Sequence, residues 1–115
     1  MNFMNELIKT IDEWNKDPIE DEWLFETFRE QYVGTMSPSE AFQAIDCTID
    51  VLINLSDEST AVEVLETIID LARQSDTTQV PAKLSKTRAA LINQFKGMDD
   101  YARDKLGELF QYYRF

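Results

Sequence analysis

Two consecutive stretches of this chain, 38–55 and 60–75, are apolar on two adjoining helical faces at once, and this constrains the fold more than any other feature. On the first, Phe42, Ile45, Ile49, Leu52 and Ile53 recur at helical spacing beside a second row of Ala44, Cys47, Val51 and Leu55. On the second, Val62, Leu65, Ile69 and Ala72 lie beside Ala61, Val64, Ile68 and Leu71. A helix with one apolar stripe rests on a surface, whereas a helix with two must be covered from two sides. The pair is therefore expected to form a central hairpin turning at Ser56-Asp57-Glu58-Ser59. Its start is marked by Ser37-Pro38-Ser39-Glu40, which supplies an N-cap serine, a proline at the first helical position and a glutamate placed to return the capping-box bond.

The flanks read as further helices. Phe3, Leu7, Ile8, Ile11 and Trp14 predict an amphipathic helix over 2–16. Asp17 as N-cap and Pro18 at the first position predict a second to about Tyr32, burying a selection from Ile19, Trp23, Leu24, Phe25 and Phe28, with Gly34 as its C-cap. Pro81 opens a fifth helix carrying Leu84, Leu91, Ile92 and Phe95, and Gly97 breaks it. Asp99 or Asp100 caps a sixth with Ala102, Leu106, Leu109, Phe110 and Tyr113, in which Gly107 is a weakness of about 1 kcal/mol relative to Ala. The expected fold is one all-α domain over 1–115, a compact bundle of about six helices in three hairpins (1–34, 37–75 and 80–115). A HEAT-like stack of the hairpins is the alternative.

Charge is distributed unevenly over the 115 residues. The formal net charge is −11. Residues 1–70 hold 17 acids against Lys9, Lys16 and Arg29, while residues 71–115 hold five acids against eight bases, so a net −14 faces a net +3. Such acidity argues against nucleic acid or anionic membrane as ligand and favours a basic protein. It also keeps a free chain soluble and monomeric. No run approaches the roughly 20 apolar residues of a membrane span, and Glu6, Asp12 and Glu13 stand where a secretory leader carries positive charge, so a cytoplasmic location is expected. The lone Cys47 is expected as a buried, inert thiol.

Catalytic chemistry has little to work with. The chain has no histidine, no glycine-rich phosphate loop and no Cys-x-x-Cys pair, and Asp57-Glu58 lacks the alternating acids and glycine of a calcium loop. No metal, cofactor or enzymatic activity is expected. Carboxylates form the conspicuous pattern. Glu22, Glu26 and Glu30 recur at i+4 on the second helix, Asp46 and Asp50 on the third, and Glu63, Glu66 and Asp70 share one stripe on the fourth. The hairpin turn is expected to bring Asp50 near Glu63 and join the stripes. Like charges at i, i+4 cost about 0.2 to 0.5 kcal/mol each, so reversing Asp50 and Glu66 to Lys should leave folding unharmed or slightly improved. Trp14, Trp23, Phe25 and Phe28 crowd the first hairpin more densely than one face holds; core burial is the first expectation for them, and exposure of at least one as an interface anchor is the alternative.

In length, absence of a leader, helical hairpins and heavy acidity, the chain resembles the small acidic all-helical immunity proteins of bacterial contact-dependent inhibition and related toxin systems. The tyrosine-pair recognition segment of the helical colicin-nuclease immunity proteins has no counterpart, because Tyr112-Tyr113 lacks its surroundings. The resemblance implies a tight complex with a cationic, nuclease-type toxin domain. The charged contacts are expected first at Asp46, Asp50, Glu63, Glu66 and Asp70, and second at Glu22, Glu26 and Glu30. A nucleic-acid mimic or regulatory adaptor that captures a basic host or phage protein is the alternative.

Overall fold

The computed structural model describes residues 3–16 and 22–114. Among these, α1 spans Phe3–Trp14, α2 Leu24–Phe28 with a π turn continuing it over Arg29–Val33, α3 Pro38–Ile53, α4 Glu58–Ser75, α5 Ala82–Phe95 and α6 Asp100–Tyr112. The protein is all-α, with six helices and no strand among the described residues. The expected Asp17 cap, the Pro18 helix start, the burial of Ile19 and the acids Glu20 and Asp21 lie outside the described residues, as does Phe115.

Helix starts follow from their capping side chains. Glu40 N–H donates to Ser37 Oγ at 3.2 Å while Ser37 N–H donates to the Glu40 carboxylate at 2.9 Å, completing the capping box of α3. Asp57 and Asp99 cap α4 and α6, accepting from the backbone N–H groups of Thr60 and Ala102 at 2.9 Å. Helix α5 starts differently. Pro81 brings no capping side chain, and the N–H of Lys83 donates instead to Asp46 of α3 at 3.1 Å, so the cap is lent by a neighbouring hairpin.

The middle hairpin is the core. Ile45, Ile49 and Leu52 of α3 and Val64, Leu65, Ile68 and Leu71 of α4 have no exposed surface. Burying each such side chain contributes roughly 1.5 to 3 kcal/mol. Around it, α3 packs on α1 and α5, while α4 packs on the π turn and α6. Odd-numbered helices thus form one layer and even-numbered helices the other. The molecule measures 38 × 34 × 19 Å, and the short axis is about two helix diameters. Of the two arrangements open from sequence, the connectivity of this compact bundle is that of stacked hairpins. The second apolar row of α3 is less covered than its composition suggests. Ala44, Val51 and Leu55 are half-buried and Cys47 is exposed, because α1 packs on α3 only lightly.

The second helix departs most from expectation. Helix α2 begins only at Leu24, so Glu22 precedes it and is not in helical register with Glu26. Its buried residues are Phe25, Phe28 and Val33. In an uninterrupted α-helix Val33 would stand about 140° around the axis from Phe28. The i→i+5 bonding of a π turn places residue 33 over residue 28 instead, so all three face the core. Gly34 N–H closes this turn on the Arg29 carbonyl at 3.0 Å. Gly34 is the C-cap, as expected, but in right-handed conformation with a φ of −61°. Its requirement for glycine is steric: a Cβ there would lie 2.8 Å from the Glu30 carbonyl oxygen.

Candidate functional site

The even-numbered layer carries a groove whose floor is α4 and whose walls are the α2–π segment and α6. Two adjoining clefts of about 440 and 280 Å³ make it up, sharing Glu26, Arg29, Asp70 and Arg73. The π turn presents Arg29, directly after buried Phe28, to the polar stripe of α4. Its guanidinium lies 3.2 Å from Glu63, 3.7 Å from Glu66 and 3.5 Å from Asp70, with only 13% of the side chain exposed. It also donates to the Glu63 backbone carbonyl at 3.2 Å.

From the opposite wall, Lys105 approaches Glu66 at 3.9 Å and Glu108 at 3.3 Å, and Arg73 bridges Asp70 at 3.7 Å to Glu108 at 2.6 Å. Tyr101 donates its hydroxyl to Glu66 at 2.7 Å, which pushes the phenol up to about 12. Four carboxylates thus face three cations in one continuous network. Burial holds the carboxyl groups of Glu63 and Asp70 above their ordinary range, and the nearby guanidiniums only partly oppose this. Glu108 shifts the other way: the Lys105 hydrogen bond first, and then the charges of Lys105 and Arg73, hold its carboxyl below the ordinary range.

Of the acids expected to meet a partner first, the structure therefore commits all five internally. Glu63, Glu66 and Asp70 hold Arg29. Asp46 caps α5, and Asp50 pairs with Lys83 Nζ at 3.1 Å. Asp50 and Glu63 do not join into one stripe: Asp50 turns to α5, Glu63 to the π turn. The like-charge repulsion read along α3 and α4 is relieved by Arg29, Lys83 and Lys105, which are remote in sequence, together with Arg73 on α4 itself.

The second-ranked acids are the ones left open. Glu22, Glu26 and Glu30 are exposed, and none has an ion pair among the described residues. Arg29 is the nearest cation in sequence to Glu26 and Glu30, but its charge is turned inward. Glu26 and Glu30 line the larger cleft, with Asp70 opposite. Beside Glu22, Trp23 is 61% exposed, whereas Phe25 and Phe28 are buried and Trp14 is half-buried, edge-on to Phe25 at 5.3 Å. Trp23 is the exposed aromatic that the crowding of the first hairpin allowed.

Nothing among family models, curated proteins or solved structures matches this chain. The site therefore rests on its own geometry. Sequence reasoning missed Arg29 as an organising residue, along with Tyr101 and Lys105. One signal pointed to Arg29: it is the sole base between Asp17 and Asp70, a stretch otherwise dense in acids. Among the described residues, no group of three or more Cys, Asp or Glu is arranged to hold a metal ion, and no helix is long and apolar enough to cross a membrane.

Proposed function

We propose that this protein is an immunity-type inhibitor that binds a cationic protein domain, in keeping with a nuclease toxin, through the acidic wall of the α4 groove. The observation that carries this reading is the withdrawal of Arg29 onto α4, which leaves Glu22, Glu26 and Glu30 without an ion pair among the described residues, beside the exposed indole of Trp23. Carboxylates on a rim speed encounter with a basic partner, and an aromatic anchor with a cleft behind it slows departure. Glu26 and Glu30 on the rim of the larger cleft suit a partner arginine or lysine side chain, while Arg29 and Arg73 in the same cleft are held by Asp70.

The same geometry weighs against the nucleic-acid mimic. A mimic needs long bare rows of negative charge, and here the rows on α3 and α4 are neutralised by Lys83, Arg29 and Lys105. It also weighs against carboxylate catalysis in the groove, because the Arg29 guanidinium fills the space between Glu63, Glu66 and Asp70 that a reacting bond would need. The decisive experiment is co-expression with the toxin domain encoded beside the gene in its source. Wild type should restore growth and Glu26→Lys/Glu30→Lys should not. Equal protection by both proteins overturns the assignment.

A further inference from the structure

On the third hairpin, a groove of about 320 Å³ runs between α5 and α6, floored by Ile92, Phe95, Leu106 and Phe110. It opens away from the middle hairpin. The α6 residues turned toward α4 are Lys105, Glu108 and Tyr112, whose partners are Glu66, Arg73 and the Ala72 carbonyl, whereas the groove uses Arg103, Gly107 and Phe110. The groove therefore occupies the end of the stack, where a further helix would pack if the series of hairpins continued. Ile92, on its edge, is 43% exposed.

Two features indicate what fits there. Gly107 lies inside α6, where it weakens the helix, and a Cβ at that position would meet nothing within 4 Å. Neither a turn nor internal packing requires glycine, while an external chain lying close against α6 would. The charged side chains that line the groove, Lys96 and Arg103, are both basic, although α6 also carries Asp100, Asp104 and Glu108 on other faces. From residue 77 to residue 98 there is no carboxylate, but there are Lys83, Lys86, Arg88 and Lys96, in a protein whose net charge is −11. Lys96 and Arg103 flank the groove, Arg103 half-exposed and paired on one side with Asp100, and the Arg88 guanidinium sits 5.5 Å from the Phe110 ring centroid.

We propose that this groove docks an acidic amphipathic helix of a partner protein, its apolar side chains on Phe95, Leu106 and Phe110 and its carboxylates toward Lys96 and Arg103. An apolar groove between two helices suits a helix better than a flat membrane surface. The groove is separate from the acidic wall, so the two sites stand or fall independently.

The test is selection of displayed helical peptides, about 18 residues long with randomised faces, on the full-length protein, with counter-selection against Gly107→Leu. Surviving peptides should be rich in Asp and Glu, with large apolar residues at i, i+3 or i+4, and i+7. Their affinity should fall about tenfold or more in Lys96→Glu/Arg103→Glu, a surface variant that tests the site even if Gly107→Leu fails to fold. The proposal is overturned if survivors are basic, if none survives, or if the double charge variant binds as tightly as wild type. Co-sedimentation with anionic vesicles that Gly107→Leu abolishes, or a wild-type dimer that Gly107→Leu dissociates, also overturns it by giving the groove another occupant.

Discussion

The Arg29 guanidinium grips Glu63 twice, reaching its carboxylate and its backbone carbonyl at 3.2 Å each, and so pins the π turn to α4. This contact explains why so many acids are tolerated on one helix: they surround a cation supplied from 34 residues earlier in the chain.

Removing that cation should be costly. Arg29→Ala leaves Glu63, Glu66 and Asp70 facing one another with side-chain exposures of only 23, 21 and 40%. Breaking a buried pair from one side costs about 3 to 5 kcal/mol, and the water that reaches Asp70 brings the expected loss to about 2 to 3 kcal/mol. Urea denaturation at neutral pH measures it, and a loss under about 0.5 kcal/mol, the range of ordinary surface substitutions, would show that the cage contributes nothing to stability.

Glu63→Gln should behave differently, with a pH dependence whose sign is fixed by burial. The folded-state pKa of Glu63 is raised, so its carboxyl favours the fold below the ordinary value of 4.5 and loses that contribution as pH rises through the folded value. Glutamine cannot titrate. The variant should match or exceed wild-type stability at pH 7, and the difference should narrow as pH falls into the carboxylate range. Melting curves across pH 3.5 to 7 check this, approximately the window in which carboxyl groups titrate. A deficit at pH 7 as large as that of Arg29→Ala contradicts it.

Two glycines should respond to alanine in opposite directions. Gly34→Ala drives a Cβ to 2.8 Å from the Glu30 carbonyl oxygen and should destabilise by about 1 to 3 kcal/mol. Gly107→Ala meets open space inside α6 and should stabilise by about 1 kcal/mol. Paired thermal melts distinguish them, and equal shifts would remove the steric account of the π turn.

Reversal of Asp50 and Glu66 to Lys should lower stability, contrary to the reading from like-charge spacing alone. A lysine at 66 would face Arg29 and Lys105 and lose the Tyr101 hydroxyl, and a lysine at 50 would face Lys83. Asp46→Ala should cost about 1 kcal/mol through the lost cap of α5. A melting temperature unchanged in both variants would mean that these contacts are not maintained in solution.

The sequence revealed what local rules control. The capping box at Ser37, the cap at Asp99, the doubly apolar middle hairpin and the exposed aromatic of the first hairpin all depend on residues near one another in the chain. The misread features depend on distant ones. Asp46 looks like a surface acid until α5, 37 residues later, lacks a cap of its own. Glu66 looks unpaired until Arg29 and Lys105 arrive from two other hairpins. The π turn was hidden because the spacing of Phe25, Phe28 and Val33 matches one face only after a turn has been widened by one residue. Ranking acids by density along the chain therefore favoured the stripe already occupied by internal cations over the row left open.

That open row provides the last prediction. Glu26 and Glu30 have no ion pair among the described residues, and Glu26 also disfavours ionisation of Glu63, so Glu26→Lys/Glu30→Lys removes repulsion without breaking a described contact. The relief is worth about 0.2 to 0.5 kcal/mol, and the melting temperature should hold or rise slightly. Binding to the cationic partner should weaken by several kcal/mol, through lost attraction and new like-charge contact. Wild-type association should also slow steeply with salt, since the screening length falls from about 10 Å at 0.1 M to about 3 Å at 1 M, and the double variant should lose most of that dependence. Stopped-flow association at several salt concentrations, beside melting curves of both proteins, reads the two effects separately. Unchanged affinity in a folded double variant would show that the row is only a solvated face, and the acidic wall would no longer be the binding surface.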